Sequence, residues 1–440
     1  MRATLAMEGA FTRSLPHPTV FMWRNENMIS TESSTTVERN TGRYMKKREA
    51  IINVASKLFD EHGIKGAMLS EVAKQVGLST NSITYYFKKK EDLVFECLMH
   101  TVQTFDMISA LAESETTPEK RVRRFIDEFF KKLAECAAGS YPAIMTFRDA
   151  AELDSSYTKI VFDRYRNMFR RVRGLLADGP ITSENRMMLT LRTHLFLTQI
   201  QWCRIWMGSY SADSHDRIRF YVVDIMLNGI ASPHLPWERN VLDTKLAQFH
   251  IPESANHGFL VAAIHLINEA GYSGASIDRI SASLSVTKGS FYHHIPSKED
   301  LFAECIERTR AVLEGYQAAV HRHAGTGLEK LGALSRALLK YHFSEQGPLL
   351  RASAWSQISD YSQFHETIKP LRELYQNMQD FLAAGMMDGS IRATHQSVAA
   401  MMVVGMINGS LTLDKWVPGS ENINVDVLYV KPMYYGLLSA

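Results

Sequence analysis

Apolar residues recur at helical spacing in two well-separated parts of the chain. Positions i, i+1, i+4, i+7 and i+8 share one face of a helix, and few segments alternate between apolar and polar residues as strands do. The first set is Ile51, Ile52, Ala55, Leu58 and Phe59, and the second is Phe259, Leu260, Ala263, Leu266 and Ile267. Helical periodicity also covers residues 119–138, 144–177, 184–228, 328–343, 349–385 and 396–416. The pattern predicts an all-α protein.

The two apolar sets belong to an internal repeat. Gly63 aligns with Gly271 at an offset of 208 residues, and the segment 90–93 aligns with 298–301 without a gap. Each copy predicts three short helices. They cover 48–61, 69–76 and 80–87 in the first copy; in the second, one ends at Gly271 and the others cover 277–284 and 288–295. A tight turn joins the last two helices, so each copy predicts a helix-turn-helix.

The third predicted helix of each copy has side chains suited to DNA. Short polar and aromatic side chains at the start of an exposed helix suit base edges in the major groove, and cations beside it suit phosphates. In the first copy these are Thr84, Tyr85 and Tyr86 within the helix and Lys88, Lys89 and Lys90 after it. A lysine triplet by itself is more often a solvated turn.

The second copy carries the most specific motif. The run Thr287-Lys-Gly-Ser-Phe-Tyr292, with Pro296 and a capping-box segment from Ser297 to Asp300, resembles the end of the DNA-binding domain in the tetracycline-repressor (TetR) family of bacterial regulators. The resemblance covers about residues 45–440 and is specific in the two helix-turn-helix segments. It implies a three-helix reader with a larger helical domain, and DNA binding as a dimer. It also implies a small molecule that enters the larger domain and moves the readers apart.

The resemblance and the repeat together predict two tandem TetR-like units, packed as an intramolecular pseudo-dimer. By analogy, the four-helix bundle of the family dimer falls on about 184–228 and 396–440. The predicted segments are a disordered extension at 1–42, helix-turn-helix domains at 43–98 and 253–307, helical regulatory and dimerisation domains at 99–231 and 308–440, and a linker at 232–252. Fully extended, that linker would reach roughly 70 Å.

The residues predicted to bind DNA follow from the same alignment. They are Ser70, Ser79, Thr80, Asn81, Thr84, Tyr85, Tyr86 and Lys90 in the first copy, and Ser276, Thr287, Lys288, Gly289, Tyr292, His293, His294 and Lys298 in the second. Residues 43–100 contain ten Lys or Arg against seven Asp or Glu, whereas residues 251–308 contain four against seven. Since phosphate contacts supply most non-specific affinity, we expect the first copy to contribute more of the salt-dependent binding.

Three positions distinguish the copies in their motifs. Met68 stands where Ser276 can cap a helix, a loss of about 1 kcal/mol. Gly77 in the first turn is replaced by Ser285 in the second, and Thr84 stands where the second copy has Tyr292. Neither copy is clearly degenerate, so we expect both to read DNA.

The helical domains invite a search for an effector pocket. Candidates are Phe147, Phe162, Gln199, Trp202 and Trp206 in the first half, and Trp355, Tyr361, Phe364, Tyr375 and Met402 in the second, although aromatics at helical spacing are more often core. His194 and Arg204 either meet an acidic ligand or pair with a neighbouring helix, and we prefer the pairing. The pair His321 and His323 is weak evidence for a metal. No catalytic or nucleotide-binding motif occurs, so we expect no enzyme activity, cofactor or metal.

Composition agrees with an ordinary multidomain protein. The 440 residues are 45% apolar, which is enough for two or more cores, and the net charge of +2 can conceal a local basic face. Four cysteines without a CxxC pair favour a reducing cytoplasm, and we interpret Cys97 and Cys305 as core residues. The apolar run 399–407 is too short to cross a membrane. We expect a bacterial cytoplasmic protein, associated with the nucleoid.

These observations favour a ligand-responsive repressor in which one chain supplies both readers to double-stranded operator DNA. Unequal readers would free the operator from strict palindromy. The protein would act as a monomeric pseudo-dimer or as a homodimer, and its sequence identifies neither the effector nor the operator. The competing hypothesis is a helical scaffold or ligand-binding protein in which one or both readers are degenerate.

Overall fold

The computed structural model describes residues 34–147, 153, 155–208, 210–249, 256–351, 354, 361–419 and 424–439. Residues 47–440 form one compact unit; of the other unit, residues 1–46, the described part is the helical start of α1. The helices of the first half are α1 (Ser34–Gly66), α2 (Leu69–Gln75), α3 (Thr80–Tyr86), α4 (Lys90–Glu113), α5 (Pro118–Ala137), α6 (Ser155–Leu175), α7 (Ser183–Met207) and α8 (His215–Asn228).

The second half repeats this order after a connecting helix. The helices are α9 (Val241–Ala247), α10 (His257–Gly274), α11 (Ile277–Ser283), α12 (Lys288–His294), α13 (Lys298–His321), α14 (Gly327–His342), α15 (Tyr361–Asp388), α16 (Gln396–Ser410), α17 (Leu413–Trp416) and α18 (Lys431–Tyr435). A single π-turn, Asp426–Val430, precedes α18. The described residues contain no strand, only one isolated bridge between Ala231 and Ile391, so the all-α prediction is confirmed.

Equivalent residues of the two readers have the same local geometry. Gly63 in α1 and Gly271 in α10 interrupt their helices at φ of 74° and 71°. The thiols of Cys97 and Cys305 lie 3.8 Å from the backbone carbonyls of Ile52 and Leu260. Burial raises the pKa of Cys97 to about 12 and raises that of Cys305 as well. Both cysteines are therefore core thiols, as predicted, and the repeat extends from sequence to side-chain contacts.

Three predicted boundaries fall within helices of the structure. Helix α1 begins at Ser34, inside the predicted extension at 1–42, whose first 33 residues lie outside the described part. The domain boundaries predicted after residues 98 and 307 fall within α4 and α13, because each of these helices continues from the reader into the regulatory domain. Residues 144–146 are not helical, although the periodicity of 144–177 predicted a helix there.

The two halves join through α7 and α16, which pack against each other. The indole N–H of Trp202 donates to the Met401 carbonyl at 2.7 Å, and the Gln199 amide donates to the Met402 carbonyl at 2.8 Å. A Cβ at Gly405 would lie 2.3 Å from the Trp202 ring, so only glycine permits this approach. Helix α8 also contacts α16 and α18. The segments to which the TetR resemblance assigned the dimer bundle therefore pack together within one chain.

The connector between the halves is folded and contains α9, a helix that the pattern of the predicted linker at 232–252 did not indicate. The Asn240 side chain accepts hydrogen bonds from the backbone N–H groups of Leu242 and Asp243 and thereby caps α9. Leu242 and Leu246 lie one turn apart, are 0% and 1% exposed, and belong to the same core as α14, against which α9 packs. Residues 250–252 of the predicted linker lie outside the described residues.

A buried ionic cluster fixes the connector to the second half. The Arg336 guanidinium donates to both carboxylate oxygens of Asp243, at 2.6 and 2.9 Å, and lies 4.6 Å from the Trp237 ring centroid. The Trp237 indole N–H donates to Asp426 at 2.9 Å, and Arg239 pairs with the same carboxylate at 3.2 Å. Arg336 is 4% exposed. The connector is thus held by charged and aromatic contacts at one end and by buried leucines along α9.

No helix in the described part of the chain is long and apolar enough to span a bilayer.

Candidate nucleic-acid interface

Helices α3 and α12 each bury one anchor and expose the remaining face. Ile83 in α3 and Phe291 in α12 are completely buried. The Ser79 hydroxyl accepts from the Ser82 N–H at 3.1 Å, and the Thr287 hydroxyl accepts from the Ser290 N–H at 3.2 Å, so both helices have capped N-termini. Such a helix presents its first turns to solvent, as a major-groove reader must.

Most of the residues predicted to bind DNA lie on these exposed faces. Tyr85 is 76% exposed and Tyr292 is 52% exposed. The other exposed members are Ser70, Ser79, Thr80, Asn81 and Thr84 in the first reader and Thr287, Lys288, Gly289, His293 and His294 in the second, while Tyr86, Lys90, Ser276 and Lys298 are half-buried. The structure therefore gathers the predicted residues of each copy on one helix-turn-helix.

Lys90 and Lys298 are occupied within the protein. The Lys90 ammonium donates to the Ala67 carbonyl at 2.6 Å and lies 3.5 Å from that of Lys65. The Lys298 ammonium lies 4.2 Å from the Tyr272 ring centroid, and burial lowers its pKa. Each lysine thus ties the start of α4 or α13 to the end of the first reader helix. Lys88 and Lys89, beside α3, are exposed.

In the second reader, Lys288 forms an ion pair with an acidic residue of the neighbouring helix α11. The Lys288 ammonium pairs with the Asp278 carboxylate at 2.7 Å, and this hydrogen bond raises the pKa of Lys288. At the repeat offset, the first reader has Ser70 and Thr80 at these positions, and neither side chain carries a charge. The acid partner reduces the positive potential that α12 can offer to phosphate.

The turn between the second and third helices is strained in one copy only. Gly77 adopts φ of 66°, and Ser285 adopts φ of 56°, the one positive φ at a non-glycine position among the described residues. A side chain in this left-handed region clashes with its own backbone, at about 1–2 kcal/mol. No atom lies within 4 Å of a Cβ built on Gly77, so the φ angle is the constraint there.

We expect Ser285→Gly to raise the free energy of unfolding of the second reader by about 1 kcal/mol. The matched change Gly77→Ser is expected to lower that of the first reader by a similar amount. Amide hydrogen exchange of α11 and α2, read beside thermal unfolding, measures the two effects separately. Equal and opposite shifts support the strain assignment; a destabilising Ser285→Gly contradicts it.

The N-cap of the second helix differs as predicted. The Met68 side chain makes no cap hydrogen bond, although the Glu71 carboxylate accepts from the Met68 N–H at 3.3 Å. In the other copy the Ser276 hydroxyl accepts from the Arg279 N–H at 3.3 Å. Ser276 thus has a structural role at the start of α11.

Residues 142–146, which have no regular secondary structure, link the first reader to its regulatory domain, and the sequence pattern did not indicate this link. The Asp60 carboxylate of α1 accepts from the Thr146 N–H at 2.9 Å and its hydroxyl at 2.7 Å, and pairs with Arg204 of α7 at 2.7 Å. Thr101 of α4 and Met145 exchange hydrogen bonds at 2.9 and 3.1 Å. The pairing of Arg204 with a neighbouring helix, which the sequence analysis preferred, is observed.

The second half has an equivalent link without the charge. Asn268, at the repeat position of Asp60, donates to the Leu349 carbonyl at 2.8 Å and accepts from the Arg351 N–H at 2.8 Å. Thr309, at the position of Thr101, accepts from the Leu350 N–H at 3.2 Å. The sequence carried a signal for these links, because Asp60 aligns with Asn268 and Thr101 with Thr309 in the internal repeat.

Most of the proposed effector-pocket residues have other roles. Gln199, Trp202 and Met402 form the contact between the halves already described.

His194 is buried, and its ring nitrogen lies 3.2 Å from the Thr412 hydroxyl. Burial lowers the pKa of His194 to about 3, so the imidazole is neutral and does not form the ion pair that we preferred for it. Three of the aromatic candidates pack against other rings: Phe147 against Tyr165, Phe162 against Trp416, and Trp206 against Tyr210. The Tyr375 hydroxyl donates a hydrogen bond to the Ser397 carbonyl. Trp355 and the side chains of Tyr361 and Phe364 lie outside the described residues.

His321, at the end of α13, makes protein contacts. His321 lies 2.9 Å from the Asn377 amide oxygen, with its ring 4.9 Å from that of Phe381. Within the described ranges, no group of three or more His, Cys, Asp or Glu side chains is arranged to hold a metal ion.

Comparison with known proteins places both readers in one family. The family model "Bacterial regulatory proteins, tetR family" matches residues 51–97 and again residues 259–305. HTH-type transcriptional regulator HbdR of Aromatoleum sp. (strain CIB) is 31% identical over 168 residues, which are 37% of this chain and 72% of that protein. The chain belongs to the TetR family. As a TetR-family member it is a DNA-binding transcriptional regulator with two helix-turn-helix copies.

Other relatives show how the chain compares in length with TetR proteins. HTH-type transcriptional repressor KstR2 of Rhodococcus jostii (strain RHA1) is 22% identical over 200 residues, which are 93% of that protein but 43% of this chain. The crystal structure of apo AibR aligns with 41% of this chain and 97% of its own, at 20% identity and a TM-score of 0.33. KstR2, at nearly its full length, therefore corresponds to less than half of this chain. HbdR and KstR2 are both named as transcriptional regulators or repressors.

Proposed function

We propose that this protein is a ligand-responsive repressor that reads one operator with α3 and α12 of a single chain. The observation that carries the proposal is the pair of capped, exposed reader helices on halves joined by the α7–α16 contact. Fusion makes the second reader available at a high effective concentration, so pairing does not depend on protein concentration. The relative KstR2 is named as a repressor, which supports this direction of regulation. The proposed place of action is the bacterial cytoplasm, at the nucleoid.

The two readers would contribute differently to operator binding. Lys88 and Lys89 supply phosphate contacts beside α3, and Tyr85 is its most exposed aromatic side chain. The second reader offers Tyr292, His293 and His294 beside an ion-paired lysine. The proposed operator therefore consists of two dissimilar half-sites.

Operator binding with single reader variants tests the proposal. We expect Tyr85→Ala and Tyr292→Ala each to weaken binding to DNA upstream of the gene by about fivefold to tenfold, because each removes a contact in the groove. Phe220→Ala is the matched control, since Phe220 is 60% exposed on α8, away from both readers. Light scattering of the DNA-free protein should give the mass of one chain, 49.8 kDa. Unchanged binding in both tyrosine variants would contradict the two-reader proposal.

A second candidate function is favoured by the ion pair between Lys288 and Asp278 and by the acidic balance of the second reader. In this alternative α12 no longer contacts DNA, and its half serves as a ligand-binding scaffold. Loss of affinity in Tyr85→Ala with none in Tyr292→Ala would support it.

A further inference from the structure

A cleft of about 450 Å³ lies between the folded connector and the second regulatory domain. Its walls come from α9 and the following Phe249, from Tyr316 of α13, from α14, and from residues 344–346. The connector exists only because two units are fused, so this cleft is a feature of the fused chain. None of the effector-pocket residues suggested by the sequence lines it.

Both ends of the connector wall are fixed. At one end the Arg336 cluster holds Trp237 and Asp243, as described above. At the other end the Phe249 ring lies against α13, where a Cβ at Gly315 would come within 2.0 Å of it, and its centroid is 4.8 Å from that of Tyr316. The cleft therefore persists between two anchored ends, and a ligand does not have to create it.

The lining combines aromatic surface with positive charge. Phe249, Tyr316 and Tyr341 provide rings, and the Tyr341 hydroxyl is buried near the Arg308 side chain of α13. Three cationic side chains line the cleft against two carboxylates. Of the cations, Arg336 is paired with Asp243 and Arg239 with Asp426. Lys340 is exposed and forms no ion pair within the described part of the chain.

We propose that this cleft binds an amphipathic organic anion, with its ring or chain against Phe249 and Tyr316 and its acidic group at Lys340. The volume suits a ligand of drug-like size, since such pockets span about 300–1,000 Å³. Glu345, the carboxylate at the rim that is not paired with arginine, opposes the anion and limits its affinity. That the ligand acts as the effector of the repressor rests on the proposed function.

The position of the cleft gives its ligand a short path to the second reader. The Arg308 guanidinium of α13 donates to the carbonyl of Gln346, which lines the cleft, at 2.8 Å. The chain then continues to Leu349 and Arg351, which are hydrogen-bonded to Asn268 of α10. Helix α13 itself begins directly after the second helix-turn-helix. A ligand that moves residues 344–346 therefore acts on the reader containing α12.

The probe for the test is 8-anilinonaphthalene-1-sulfonate, an aromatic sulfonate whose fluorescence rises in a water-poor site. We expect the full chain to bind it at one saturable site. Lys340→Gln should weaken binding by about three- to tenfold, because it removes the charge that meets the sulfonate. Glu345→Gln should strengthen it by about twofold. Ala247→Trp, at an exposed position of the lining, should abolish binding by filling the cleft.

Matched controls lie on the same connector helix. Lys245→Gln makes the same charge change and Val241→Trp adds the same bulk, at exposed positions of α9 outside the lining. Both should retain wild-type probe binding. No saturable binding, or equal effects in cleft and control variants, would overturn the proposal. Operator binding of the wild-type chain without probe is measured separately: its failure alongside an intact probe site would overturn the proposed function and leave the cleft assignment standing.

Discussion

The double variant Lys88→Gln/Lys89→Gln is expected to weaken operator binding by about 60-fold at 0.1 M salt. Each phosphate contact contributes about 0.9 to the slope of log affinity against log salt, so the loss of two contacts lowers the slope by about 1.8. Both lysines are exposed beside α3, whereas Lys90 is engaged with backbone carbonyls. Titration of labelled operator at four or more salt concentrations measures affinity and slope together.

The second reader provides the matched control for this prediction. At the repeat offset it has Pro296 and Ser297 in place of the two lysines. Ser297→Lys would remove the N-cap of α13, so Pro296→Lys is the variant that adds a positive charge without that loss. We expect it to steepen the slope of log affinity against log salt by about 0.9. An unchanged slope in the Lys88/Lys89 variant would show that these side chains do not meet phosphate.

Arg336→Ala is expected to lower the free energy of unfolding by about 3–5 kcal/mol. The variant removes one cation from beside the partly buried carboxylates of Asp243 and Asp426. Removing one partner of a buried ion pair lowers stability by about this much, because the remaining charge stays buried without compensation. The Trp237 ring also loses the guanidinium that covers it. Denaturant unfolding followed by tryptophan fluorescence and by circular dichroism measures the loss.

Arg310→Ala is the matched control for the buried cluster. Arg310 also meets two carboxylates, those of Glu307 and Glu314, but on the exposed face of α13. We expect a loss below about 1 kcal/mol there, because water screens exposed ion pairs. Equal losses in the two variants would contradict a special role of burial at Arg336.

The readers were the most predictable part of the molecule. Helices α2, α3, α11 and α12 lie within one residue of the predicted bounds, because two aligned copies show the same caps, turn and buried face. Exposure of Tyr85 and Tyr292 followed from their places on those helices. Their contact with DNA stays a prediction.

Contacts to backbone carbonyls could not be predicted, since any residue supplies such an acceptor. Lys90 was predicted to bind DNA but donates to the Ala67 carbonyl, and Trp202 was a candidate for an effector pocket but donates to the Met401 carbonyl. Residue types therefore do not indicate which backbone carbonyl accepts a given side-chain hydrogen bond.

Helix α9 of the connector was missed for a different reason. Prolines and polar residues in 232–252 are typical of a linker, and the cap at Asn240 is a local signal for α9. Its stability depends on Arg336, which lies 93 residues beyond Asp243. Residues 144–146 were mispredicted as helical for a similar reason, because Thr101 and Asp60 accept hydrogen bonds from the N–H groups of Met145 and Thr146.

The contact between α7 and α16 has an evolutionary consequence. In an assembly of two identical chains, every substitution is made twice, once in each half-site. Here Trp202 of α7 packs against Gly405 of α16, and one gene encodes the two helices at separate positions. A substitution can therefore occur in one reader only, as the difference between Gly77 in the first turn and Ser285 in the second illustrates. The two halves are free to diverge, and recognition of one half-site can change while the other is retained.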